Sequence, residues 1–180
     1  MSLLKIARMG HPVLRKRARE IERAELKQLS IQRLIDDMID TMHEYHGVGL
    51  AAPQIHEGVR IFVAAINPDD EEPLAPEVEP MVFINPVITP VGHDVREDWE
   101  GCLSIPDVRG RVPRAHAIKV IAMDRSGGTI EFTSQDFPAR VIQHEADHLD
   151  GVLFLDRMRS FETLAFMDEY SRYWSKHDGD

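Results

Sequence analysis

Gln143-His144-Glu145-Ala146-Asp147-His148 spells H-E-x-x-H inside a run that reads as a helix. Positions i and i+4 of an α-helix share a face and are separated by about 6 Å of rise. His144 and His148 can therefore point two imidazoles at one metal ion. Glu145, one step round the helix, stands where it can take a proton from a water on that ion. Such parts suit metal-assisted hydrolysis. A catalytic ion of this kind takes three protein ligands and keeps a fourth position open, so a third ligand must come from elsewhere in the chain.

Three sources can be read from the sequence. A metzincin would need a histidine six positions beyond His148, and the chain has Phe154 there. A thermolysin-like site would need a glutamate on a later helix, and Glu162 and Glu169 are available. The third source lies upstream, in Glu100-Gly101-Cys102-Leu103-Ser104. A Cys102 thiolate with two imidazoles makes an open Cys-His-His site, and the glycine before the cysteine lets the backbone approach closely. On the residues alone, the second and third readings both stand.

The elements that must position these groups follow from pattern. Ile31, Leu34, Ile35, Met38, Ile39 and Met42 recur at helical spacing, which predicts a helix over about 26–46 with Gly47 as its capping glycine. Residues 47–54 read as a loop. Residues 59–66 and 81–88 are apolar and β-branched enough for strands, the second interrupted at Asn85-Pro86. Residues 117–124 and 129–134 flank Arg125-Ser126-Gly127-Gly128 as a hairpin. The H-E-x-x-H helix is expected over 137–149, with Pro138 in its first turn and Gly151 just past its end. A last amphipathic helix is expected over 160–176, with Leu164, Phe166, Met167, Tyr170 and Trp174 near one stripe that packs against the domain.

This order of elements predicts a single α+β domain spanning 1–180. Mostly antiparallel sheets pack around a central H-E-x-x-H helix, with an N-terminal helix and a C-terminal helix. Residues 67–80 hold six acidic residues and four prolines and read as an exposed loop. The 180 residues carry a formal net charge of −10, which disfavours general nucleic-acid binding. It leaves room for transient docking on a ribonucleoprotein through a small local patch. One cysteine excludes an intramolecular disulfide and suits a reducing compartment. No apolar run approaches the length of a membrane span, and the basic N-terminus lacks the continuous apolar core of a secretory signal.

Three separated motifs together resemble the peptide deformylase family. They are Gly47-Val48-Gly49-Leu50-Ala51-Ala52-Pro53-Gln54, Glu100-Gly101-Cys102-Leu103-Ser104, and Gln143-His144-Glu145-Ala146-Asp147-His148. All are intact and in the family's order, and the resemblance runs from near the N-terminus to about Arg157. It implies a cytoplasmic, bacterial-type hydrolase that removes the formyl group from the N-terminal formyl-methionine of nascent polypeptides. It implies Cys102, His144 and His148 as metal ligands and Fe(II) as the working ion, in a donor set that also accepts Zn(II), Ni(II) or Co(II). Glu145 becomes the acid–base residue. Gln54 and the Leu103 backbone N–H become receivers of the oxyanion.

For substrate, the slim Val48-Gly49 segment and Gly101 leave backbone free to pair with an extended peptide. Val141 lies one turn before His144 on the same face, where it lines a pocket for the methionine side chain or simply packs in the core. Arg109 is placed at the pocket mouth.

Overall fold

The computed structural model describes residues 3–67 and 78–175. Most of the acidic, proline-rich stretch at 67–80 therefore lies outside the described residues. A short helix α1 (Arg23–Leu26) leads into α2 (Leu29–Glu44). Strands β1 (Gly49–Ala51), β2 (Ile61–Ala64) and β3 (Met81–Pro90) follow. Next come β4 (Val95–Cys102), β5 (Ile105–Ala115), β6 (Ala117–Met123) and β7 (Thr129–Gln135). The chain finishes with α3 (Asp136–Leu149), α4 (Phe154–Arg157), β8 (Ala165–Phe166) and α5 (Met167–Tyr173).

The strands form two antiparallel sheets, one ordered β1-β2-β3-β6-β7 and the other β4-β5-β8. Strand β2 is buried at every position, and its alternation separates two cores. Ile61 and Val63 face Ile35, Met38 and Met42 of α2. Phe62 and Ala64 face Ile142 and Leu149 of α3, with the Phe62 and Phe83 rings stacked at 4.4 Å. A third cluster joins Phe154 of α4 to Val112 and Ile105 of β5. The central helix is thus held by the larger sheet on one side and by the β4–β5 hairpin on the other.

The predicted α+β class, the antiparallel pairing and the helices near both ends are all present. Several boundaries differ, each for a physical reason. The left-handed residue ending α2 is His46 (φ 53°), one position before the expected Gly47. His46 N–H donates to His43 O and Gly47 N–H to Met42 O, a Schellman pattern that needs the positive φ at the earlier residue. Asn85-Pro86 does not end β3. It creates a register shift against β6, and Asn85 (φ 49°) turns its side chain to bond both the N–H and the C=O of Ile21.

The expected helix over 160–176 is cut to 167–173. Ala165 and Phe166 stay extended because they pair with Arg109 and Val108 at the edge of β5. Of the expected stripe, Tyr170 and Trp174 pack on Trp99, whereas Phe166 is 66% exposed. The loop expected at 47–54 contains β1 and a single 3-10 turn, Ala52–Ile55.

Candidate metal centre

Cys102 is the last residue of β4, where the ladder with β5 slips between Gly101 and Cys102. That slip ends the hairpin strand against α3. His144 and His148 sit on successive turns of α3 with ring centroids 5.0 Å apart. Cys102 Sγ lies 3.3 Å from His148 Nε2, and the three donor atoms all fall within 4.8 Å of one another. Two ligands at about 2.0 and 2.3 Å from one tetrahedral ion stand about 3.5 Å apart, so the sulfur and this nitrogen have the separation a shared ion requires. Glu162 and Glu169 do not join the group. Among the described residues, Cys102, His144 and His148 are the cluster that can hold a metal.

The electrostatics fit a cation as well. Burial opposes a Cys102 thiolate, but the His148 and His144 imidazoles outweigh it and hold the thiol well below its ordinary range. Burial likewise opposes an imidazolium at His144, yet Cys102 and Glu100 raise it well above the usual histidine value. Without metal the site thus favours a thiolate compensated by a protonated ring. A divalent cation substitutes for that proton, since ligands bind as thiolate and neutral imidazole.

Behind the donors is a charged network that the sequence reading did not assign. Glu100 Oε2 stands 2.9 Å from His144 Nδ1. Arg114 grips the same carboxylate through Nε at 2.9 Å and Nη2 at 3.0 Å, and Arg140 Nη1 donates to it at 2.9 Å. Arg140 also donates to Val112 O and Arg96 O, each at 2.7 Å, which ties α3 to both strands of the hairpin. Arg114 and Arg157 both bond Asp147, one residue before His148. Burial works against the Glu100 carboxylate, but His144 and Arg114 hold its pKa well below the ordinary range. Part of the signal was available: Arg140 precedes His144 by four residues in a helix, which puts both on one face.

Glu145 is buried beside the histidines, and among the described residues its Oε2 has no hydrogen-bond partner. Burial, opposed by the two imidazoles, pushes its carboxyl up to about 7. Gly49 makes room for it, since a Cβ at that position would lie 2.7 Å from Glu145 Cδ. Gln54, 1% exposed, has its amide oriented. Its Oε1 accepts from Ala51 N–H at 2.8 Å, leaving Nε2 to face Ser104 Oγ at 3.3 Å and Cys102 Sγ at 3.5 Å. Leu103 follows in the turn between β4 and β5. Its side chain crowds Gly47, where a Cβ would come within 3.0 Å of Leu103 Cδ1.

A cleft of about 1090 Å³ opens over this group. Val48, Gly49, Gly101, Arg109 and Val141 all line it, together with Gln54, Cys102, Leu103, His144 and Glu145. His148 is buried and does not. Val141 lines the cleft and also packs in the core between α3 and the larger sheet. Strands β1 and β4 are edge strands of their sheets, and both contribute residues to the cleft wall.

Comparison with known proteins gives one answer. A family model described as polypeptide deformylase matches residues 3–163. Peptide deformylase 2 of a Nostoc species is 46% identical over 177 residues, covering 97% of this chain and 97% of its own. Peptide deformylase 1 of Bordetella pertussis is 40% identical over 91% of this chain and 92% of its own. The crystal structure of a class I type b peptide deformylase from Acinetobacter baumannii with Met-Ala-Ser bound superposes with a TM-score of 0.80 at 39% identity. It covers 87% of this chain and 99% of that one. Peptide deformylase from Thermotoga maritima gives 0.78 at 36% identity, over 89% of this chain and 100% of that one.

Proposed function

The chain belongs to the polypeptide deformylase family, and from that premise we propose how its cleft carries out the family's reaction. The enzyme removes the formyl group from the N-terminal formyl-methionine of newly made polypeptides. It hydrolyses a formamide C–N bond to give formate and a free amine. Cys102, His144 and His148 hold one divalent cation, and we take Fe(II), the ion the family resemblance implies, as the working metal. The same donors accept Zn(II), Ni(II) or Co(II).

When bound, the cation supplies Lewis acidity that lowers the pKa of a water towards about 7 and polarises the formyl oxygen. Glu145 takes the proton of the attacking water and returns one to the departing amine nitrogen, a role suited to a buried carboxyl raised to about 7. As the formyl carbon becomes tetrahedral, Gln54 Nε2–H and the Leu103 backbone N–H receive the charge that grows on its oxygen. Ala51 and Ser104 hold the Gln54 amide in advance, so little is spent on reorganisation during reaction.

The substrate lies extended between the edges of β1 and β4, using backbone at Val48, Gly49 and Gly101. Its methionine side chain enters the cleft beside Val141. Arg109 stands at the mouth, where the rest of the peptide leaves. The partners are nascent formylated chains in a bacterial-type cytoplasm, met through transient contact with the ribosome. No helix among the described residues is long and apolar enough to cross a membrane.

The observation that supports this reading most is the convergence of one sulfur and two imidazoles beside a buried carboxylate whose Oε2 finds no hydrogen-bond partner among the described residues. The test is formate release from formyl-Met-Ala-Ser by protein prepared without oxygen and loaded with Fe(II) or Ni(II), with Glu145→Ala as control. Formate from the wild type and none above background from the variant is expected. No formate from the loaded wild type rejects the reading.

A further inference from the structure

The motif Gln143-His144-Glu145-Ala146-Asp147-His148 gives a task to both histidines and to Glu145, and none to Gln143. Gln143 is half-buried and does not line the cleft. Its amide reaches Ala115, the last residue of β5. Nε2 donates to Ala115 O at 2.9 Å, and Oε1 accepts from Ala115 N–H at 3.1 Å. Nε2 also donates to Ala139 O at 3.0 Å, one turn back in α3. An amide nitrogen has two hydrogens, and with both engaged the group is fixed in orientation.

Ala115 is a corner of the fold. Two residues later β6 begins in the other sheet, and β8 pairs with β5 at Val108 and Arg109, well short of this end. At the corner a side chain of α3 thus supplies the two hydrogen bonds that a neighbouring strand would make. The residue just before it is Arg114, 5% exposed. Arg114 holds Glu100 through Nε and Nη2 and Asp147 through Nη1, and Glu100 holds His144 Nδ1.

These contacts close a ring. It runs from Gln143 to the Ala115 backbone, along it to Arg114, across to Glu100, and back to α3 at His144, the residue next to Gln143. A guanidinium on a long side chain is no better placed than the backbone that carries it. Groups that support a site must be held to within about 0.5 Å.

We propose that Gln143 is a positioning residue of the metal centre: by pinning the end of β5 to α3 it sets Arg114 on Glu100, and through Glu100 the orientation of the His144 ring. The inference deepens the metal-centre reading and rests on it, but not on the identity of the substrate.

Zinc affinity, measured by chelator competition, tests this without turnover. Gln143→Met keeps the length of the side chain and removes all three hydrogen bonds. It should weaken zinc binding about three- to tenfold, less than the roughly 10- to 100-fold typical for losing a ligand's direct partner. In a Glu100→Gln background the same change should cost less than about twofold, because the path it serves is already cut. A residue that only stabilised the fold would lower the midpoint of urea unfolding and leave the affinity of the folded protein level. One that acted on His144 directly would cost the same in both backgrounds. Gln143→Asn, whose amide is too short to reach Ala115, should repeat the loss and carries the test if Gln143→Met does not fold. Unchanged affinity in the folded variant, or a loss undiminished in the Glu100→Gln background, overturns the proposal. Zinc that binds Cys102→Ala as tightly as the wild type rejects the metal-centre reading itself, and the proposal with it.

Discussion

Glu100 Oε2 and His144 Nδ1 stand 2.9 Å apart with both side chains buried, and this contact sets which nitrogen of His144 is free to act as a donor. A carboxylate on Nδ1 leaves Nε2 as the ligand atom and raises its basicity, a pairing usual behind metal-bound histidines. The carboxylate belongs to the same strand as Cys102. One hairpin therefore contributes a ligand and also aims its partner on the helix.

Glu100→Gln should accordingly weaken metal binding by about 10- to 100-fold. Competition with a chromophoric chelator measures it. Unchanged affinity would show that the ring is oriented by something else.

Arg140→Ala removes the tie between α3 and the hairpin and leaves Glu100 short of a buried counter-charge. Breaking such a pair from one side typically costs about 3–5 kcal/mol. Urea unfolding of the metal-free variant should show a loss of that order. A loss below about 1 kcal/mol would mean that Arg114 alone satisfies the carboxylate.

Glu145 makes a prediction in pH. In the metal-free protein its carboxyl ionises near 7, against 4.5 for a glutamate in water. Because the folded value is the higher one, its contribution to stability is full below about pH 4.5 and is lost as pH rises through about 7. Relative to Glu145→Gln, metal-free wild type should therefore lose on the order of 3 kcal/mol of unfolding free energy between pH 4.5 and 8. Cys102 and His144 titrate in both proteins, so the difference reads Glu145 together with its charge coupling to them. A difference that stays flat with pH contradicts the assignment. In the loaded enzyme the same substitution should lower the rate about 10²- to 10⁴-fold with metal content unaltered.

Gly49→Ala tests the fit of β1 against the acid–base residue. The added Cβ would lie 2.7 Å from Glu145 Cδ, so the carboxylate must move. Misplacing a reacting group by about 1 Å costs roughly 10²-fold, and kcat should fall by that much while the protein keeps its metal. An enzyme of full activity would show that Glu145 has room the structure does not give it.

The sequence carried the centre of this site further than its walls. His144, Glu145 and His148 were legible because a four-residue spacing on a helix has one geometric meaning, and the spacing of Ile35, Met38 and Met42 placed α2 in the same way. The β4–β5 hairpin that delivers Cys102 was not legible as strand. Its residues alternate charge with charge, as in Arg96-Glu97-Asp98 and Arg109-Gly110-Arg111, and Pro106 and Pro113 argue against strand by local preference. Pairing across the hairpin and the Arg140 tie overrule that preference. Arg114, twelve residues beyond Cys102, reaches Glu100 only because the hairpin folds back, and no local pattern announces such a partner. At the C-terminus the apolar residues suited a helix, but two of them found a strand edge to complete instead.

The most direct test is X-ray absorption at the metal edge of the zinc-loaded protein. The account predicts a first shell with one sulfur at about 2.3 Å and two imidazole nitrogens at about 2.0–2.1 Å, the sulfur vanishing in Cys102→Ala. A shell of nitrogen and oxygen alone in the wild type would contradict it.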